Sequence, residues 1–174
     1  MVRRMFGGKP SVGAWLALPL AALTCMPAHA ATANASVNVN IVKPLALSST
    51  GSLNFGTIVM NNLTAPRTVS LSPTNLLTCG SGGELACSGA TSVPNYNIQG
   101  TNRSVISIFK NVTELTNSSD GSKLTLTPSG PTSITLTNSG APGENFTIGG
   151  SITLTPSTSA GLYSGIVNVT VDYQ

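Results

Sequence analysis

The sequence predicts an all-β antiparallel sandwich. Three observations carry this. Apolar residues recur at period two in block after block, clusters of Gly, Pro, Ser, Asn and Asp separate the blocks, and no window combines helical spacing with caps.

The first thirty residues stand apart from that pattern. Arg3, Arg4 and Lys9 make a basic start, Val12 to Met26 is mostly apolar, and Ala28-His29-Ala30 supplies a small-x-small cleavage pattern. Residues 1–30 therefore read as a secretory signal peptide of the Sec type. The apolar run is shorter than about 18 residues and is broken by Pro19, which argues against a retained membrane helix. Thr24 is a poor neighbour for lipid processing at Cys25.

Taking the leader away changes the chemistry of the rest. The formal charge of +3 and the pI near 9.0 reside in Arg3, Arg4 and Lys9. In residues 31–174 Lys43, Arg67, Arg103, Lys110 and Lys123 balance Glu84, Glu114, Asp120, Glu144 and Asp172, so there is no basic patch for nucleic acid. The one His and the one Trp also lie in the leader. What remains is long enough for one domain with a real core, but not for two.

Ala31 to Val42 is the first block. Ala33, Ala35, Val37, Val39 and Ile41 share one parity, and Thr32, Asn34, Ser36, Asn38 and Asn40 share the other. The alternation starts where most chains fray. Two readings stay open: an ordinary first strand of the sandwich, or a free strand made to be donated to another molecule. Lys43-Pro44 interrupts the ladder, because proline has no amide hydrogen to give, and Ser48 to Ser52 reads as a turn cluster.

Leu53 to Val59 resumes as a strand with Gly56 a candidate bulge, and Arg67 to Ser72 alternates up to Pro73. Cys79 and Cys87 follow. In an exported chain, a pair this close reads as a structural disulfide closing a small loop, worth about 2.5 kcal/mol by chain entropy. A zinc site would need further ligands that the histidine-free remainder lacks. Tyr96 to Gln99 and Val105 to Phe109 are the next strands. Asn117-Ser-Ser-Asp-Gly121 is the strongest turn signal in the chain.

Lys123 to Thr127 and Ser133 to Thr137 are short alternating units, and Phe146 to Thr155 is interrupted by Gly149-Gly150. The last block is Gly161 to Gln174. Tyr163, Val167, Val169, Val171 and Tyr173 fall on one parity and alternate with polar residues. Gly165 shares the inward parity, where a missing side chain lets another backbone come close. Ile166 sits on the polar parity, facing a second apolar surface if there is one.

The chemistry of catalysis is missing from this pattern. No histidine stands beside a nucleophile, and the five acids are isolated in sequence. Glu84, inside the cysteine loop, and Asp120, inside a turn, read as ordinary solvated positions. The glycines at 80, 82 and 83 lack the helix and the Lys-Ser/Thr of a phosphate loop, and Asp120-Gly121 lacks the other ligands of a calcium loop. An enzyme, a metal and a cofactor are not expected.

The two ends together carry a resemblance. Leu53-Asn-Phe-Gly-Thr57, Ile148-Gly-Gly-Ser-Ile-Thr-Leu154 and Gly161-x-Tyr-x-Gly-x-Val-x-Val-x-Val-x-Tyr173 resemble chaperone–usher pilus subunits, especially the archaic, spore-coat-U-like branch. They also resemble a related group of small exported pilin-like bacterial proteins of unassigned function. In pilus subunits a glycine fourteen residues from the end and a penultimate aromatic belong to the surface that chaperones recognise. Gly161 and Tyr173 occupy those positions in this chain.

The resemblance implies an immunoglobulin-like sandwich that lacks its last strand. A periplasmic chaperone fills the groove first. The N-terminal strand of another copy or a related subunit then replaces it at an outer-membrane usher. It further implies Ala33, Ala35, Val37, Val39 and Ile41 as the donor strand. Gly161, Tyr163, Val167, Val169, Val171 and Tyr173 become the acceptor groove and chaperone-recognition residues. The chain departs from the family in its alanine-rich donor start and its mid-domain cysteine pair.

The expected function is accordingly a fimbrial subunit at the cell surface. The competing readings are a monomeric secreted sandwich that completes its own sheet, a binding module or tip adhesin, and an exported hydrolase with carboxylates clustered in a cleft.

Overall fold

The computed structural model describes residues 31–174 apart from position 81, and from Ala46 onward short strands alternate with glycine- and serine-rich turns. The expected leader lies outside the described residues. The chain divides after Val39. Residues 31–45 form no strand, and Val37, Val39 and Ile41 are 89%, 79% and 83% exposed.

The strands, in chain order, are β1 (Ala46–Thr50), β2 (Thr57–Met60), β3 (Arg67–Leu71), β4 (Leu77–Thr78), β5 (Leu85–Ser88), β6 (Asn95–Gln99) and β7 (Val105–Lys110). They continue as β8 (Thr113–Asn117), β9 (Lys123–Ser129), β10 (Ser133–Thr135), β11 (Glu144–Thr147), β12 (Gly149–Leu154), β13 (Tyr163–Ser164) and β14 (Val169–Tyr173). The described residues contain no helix. The fold is the all-β antiparallel sandwich that the alternation predicts.

Four sheets result. Two have three strands, ordered β1-β6-β11 and β10-β7-β14. One has six, ordered β13-β8-β9-β12-β3-β4, and β2 pairs with β5 in a ribbon. The inward parities of these strands make two apolar clusters. One joins Tyr96, Ile98, Ile106, Ile108, Leu136, Phe146 and Ile148, with Tyr96 stacked on Phe146 at 5.2 Å. The other joins Val69, Leu85, Leu124, Leu126, Ile152 and Leu154.

Several sequence expectations need correction. Ala46–Thr50, expected to be partly turn, is β1, held in register by β6. The cysteine loop contains strand β5. Glu84 within it is no ordinary solvated acid: it pairs with Arg67 and accepts bonds from the Thr64 amide and hydroxyl. The strand expected from Leu53 breaks at Gly56, where a Cβ would collide with the Ser88 carbonyl.

Phe146 to Thr155 splits at the buried Ile148 rather than at its two glycines, and its halves enter different sheets. The last block splits too. Tyr163 and Val167 pack into one cluster, and Val169, Val171 and Tyr173 into the other. Ile166, on the polar parity, is 74% exposed. The disulfide forms between Cys79 and Cys87.

Candidate functional site: an unfilled slot between strand edges

Among the described residues, β1, β2 and β13 are each paired on one side only. A strand in that position leaves a row of backbone donors and acceptors without protein partners. Between these edges lies a slot of about 800 Å³. One lip is Ser49 to Met60, including Phe55 and Ile58, and the other is Thr158 to Val167. Its floor is Leu115 of β8, Leu124 and Leu126 of β9, and Ile152 and Leu154 of β12. No residue lining the slot carries a charge.

Each lip is fixed from behind. The first is tied to β5 by the β2 pairing and by the bond from Asn61 N to Glu84 O. Cys87 of β5 is in turn bonded to Cys79, just beyond β4, so the disulfide anchors this lip to the six-stranded sheet. The second lip hangs on β8. Ser118 N donates to Leu162 O, Thr113 Oγ1 to Ile166 O, and Tyr163 Oη folds back to donate to Ser159 O. Gly165 allows that approach, because a Cβ there would lie 2.9 Å from Glu114 O.

The slot narrows along its length. Beyond the main cavity a smaller recess of about 230 Å³ lies between Leu47–Ser49 of β1 and Val167–Val169 of the other lip. Farther on the two sides meet. Tyr173 Oη donates to Lys43 O at 2.6 Å and accepts from Thr101 N at 2.9 Å. Burial raises the pKa of the Tyr96 phenol, which lines the slot, above its ordinary value.

Of the residues expected to form an acceptor groove, Gly161, Tyr163 and Val167 line the slot and Val169 lines the recess. Val171 and Tyr173 do not line it; they pack into the cluster around Ile98 and Ile106. The whole first lip and the floor escaped the sequence reading. A faint signal existed in Phe55, Ile58 and Met60, but Gly56 shifts their parity. Floor leucines such as Leu124 and Leu126 look like any other core positions.

A family model described as Domain of unknown function (DUF4402) matches residues 45–173. No curated protein and no solved structure matches the chain.

Proposed function

The chain belongs to the DUF4402 family, the domain of unknown function matched above, and from that premise we propose that it is a structural subunit of a bacterial surface fibre. Residues 31–42 of one copy lie in the slot of the next. The observation that carries this reading is the match between an uncharged slot bordered by unpaired strand edges and an uncharged segment of strict alternation, Ala31 to Val42.

Strand addition gives such a joint its physics. The incoming backbone supplies partners to the free edges. Val37, Val39 and Ile41 turn inward onto Leu115, Leu124, Leu126, Ile152 and Leu154. Each buried Val or Ile contributes about 1.5–3 kcal/mol, and Ala33 and Ala35 contribute less. The strong half of the donor is therefore its C-terminal half. In transit a periplasmic chaperone covers the slot, and an outer-membrane usher passes the subunit outward. The disulfide fits the oxidising compartment that this route requires.

Changing Val37, Val39 and Ile41 together to Asp places three charges in an uncharged slot. The expected result is a high-mass ladder from the wild-type chain on unheated gels and none from the triple variant. A ladder unchanged by the triple substitution overturns the proposal.

A further inference from the structure

The contact at the narrow end of the slot joins the last strand to Lys43, the residue that follows the segment 31–42. Thr101 receives Lys43 N on its Oγ1 at 2.7 Å and gives its own N–H to Tyr173 Oη, which donates to Lys43 O. Both backbone groups of Lys43 are thus engaged. The packing around them is close: a Cβ at Gly100 would lie 2.7 Å from Tyr173 Oη, 2.8 Å from Leu45 Cδ2 and 2.9 Å from Leu136 Cδ1.

Chain connectivity makes this contact consequential. β1 runs from the narrow end of the slot towards its wide end. For residues 31–42 to enter the slot of their own copy, they would have to reverse at Val42–Leu45 and run back beside β1. Three placements of a tight turn are available, and each is opposed. Centred on Val42 and Lys43, the turn needs an N–H from Pro44, which has none. Centred on Lys43 and Pro44, it puts proline at the second central position, which excludes the common turn types and requires a cis bond. Centred on Pro44 and Leu45, it draws Leu45 out of the cluster around Ile98 and Ile106. All three swing Lys43 away from Tyr173 and Thr101.

We infer that Tyr173, Thr101 and Lys43, together with Pro44, form a lock against self-insertion, which reserves residues 31–42 for a second copy. The inference rests on the proposed function for the identity of the partner. The lock itself concerns one molecule. A second copy's slot imposes no reversal, because the segment that enters it is not tethered to that copy's own β1.

Two variants of the full chain, expressed with its own leader and recovered in oxidised form, test the lock by hydrogen exchange on the monomer. Tyr173→Phe keeps the ring and removes the hydroxyl. Lys43→Asn with Pro44→Gly replaces the lock by a strong hairpin turn. In wild-type monomer the amides of residues 31–42 exchange without protection. In the Asn-Gly variant they exchange at least about tenfold more slowly, the factor that one or two hydrogen bonds carry, and the polymer ladder falls in proportion. Tyr173→Phe lies between the two.

Protected amides in wild-type monomer, or an Asn-Gly variant that exchanges as fast as wild type, overturn the lock. The readouts separate the two ideas. Absence of a ladder from the wild-type chain counts against the fibre reading, while the exchange comparison still decides the lock. If Tyr173→Phe does not fold, the Asn-Gly variant, which leaves Tyr173 in place, decides alone.

Discussion

The carboxamide of Asn117 fills the space into which a side chain at Gly161 would grow. A Cβ at position 161 would lie 2.6 Å from Asn117 Nδ2. Asn117 is 1% exposed, donates to Ala160 O at 3.1 Å and accepts from Ser119 N at 2.9 Å. A buried amide this well satisfied does not move aside without leaving polar atoms unpaired. The glycine and the asparagine together set the second lip at the wide end of the slot.

Gly161→Ala is therefore expected to destabilise the fold by about 2 kcal/mol, as overpacking does elsewhere. The midpoint of urea unfolding measures it. The cost should shrink when Asn117→Ala is also present, because the obstacle is gone; a double-mutant cycle reads that coupling. Additive costs would contradict the contact.

Replacing both Cys79 and Cys87 by Ala is expected to cost about 2.5 kcal/mol, the chain-entropy value for so short a loop. The loss should also be uneven. Among the described residues β5 is the only strand partner of β2, so the amides of Ile58 and Val59 should lose more exchange protection than those of β9 or β12. Uniform loosening of all strands would contradict the anchoring role given to the disulfide.

Glu84 carries the clearest pH dependence. Hydrogen bonds from the Thr64 hydroxyl, Arg67 and the Thr64 amide hold its carboxyl below the ordinary 4.5. Asp120, bonded by Ser122, is depressed likewise from 3.8. A depressed carboxylate contributes stability that is fully present above its unfolded value and is lost as pH falls through its folded one. Stability should thus be level down to about pH 5 and decline in the acid range below it. Glu84→Gln should flatten part of that decline. Chemical denaturation at a series of pH values from neutral downwards checks the sign, and stability that rises as the pH falls below about 5 would contradict it.

Much of this architecture is legible in the residues. Strict alternation locates β3, β7, β9 and β14 because each buries one face and exposes the other, as in Leu124 and Leu126 against Thr125 and Thr127. The segment Ser48 to Ser52 misleads because β1 is mostly exposed: among the described residues one of its two edges is paired and Leu47 alone of the strand packs into the cluster around Ile98, so serine and threonine are tolerated. The short β4 and β5 are hidden by the glycines of the cysteine loop.

The slot is half legible. Its second lip can be read from Gly161, Tyr163 and Val167. Its floor joins the local β8–β9 hairpin to β12, and β12 meets β9 only through pairing between stretches far apart in the chain. No local pattern distinguishes a leucine packed between sheets from one that floors an open slot. The role of Tyr173 is likewise set by partners far away in sequence, at Lys43 and Thr101.

The central claim is that residues 31–42 of one copy fill the slot of another. A labelled peptide of that sequence, mixed with the chain in which Val37, Val39 and Ile41 are Asp, tests it most directly. The account predicts saturable one-to-one binding, with new exchange protection along the slot at β2 and β13. Binding no stronger than that of a scrambled peptide of the same composition would contradict it.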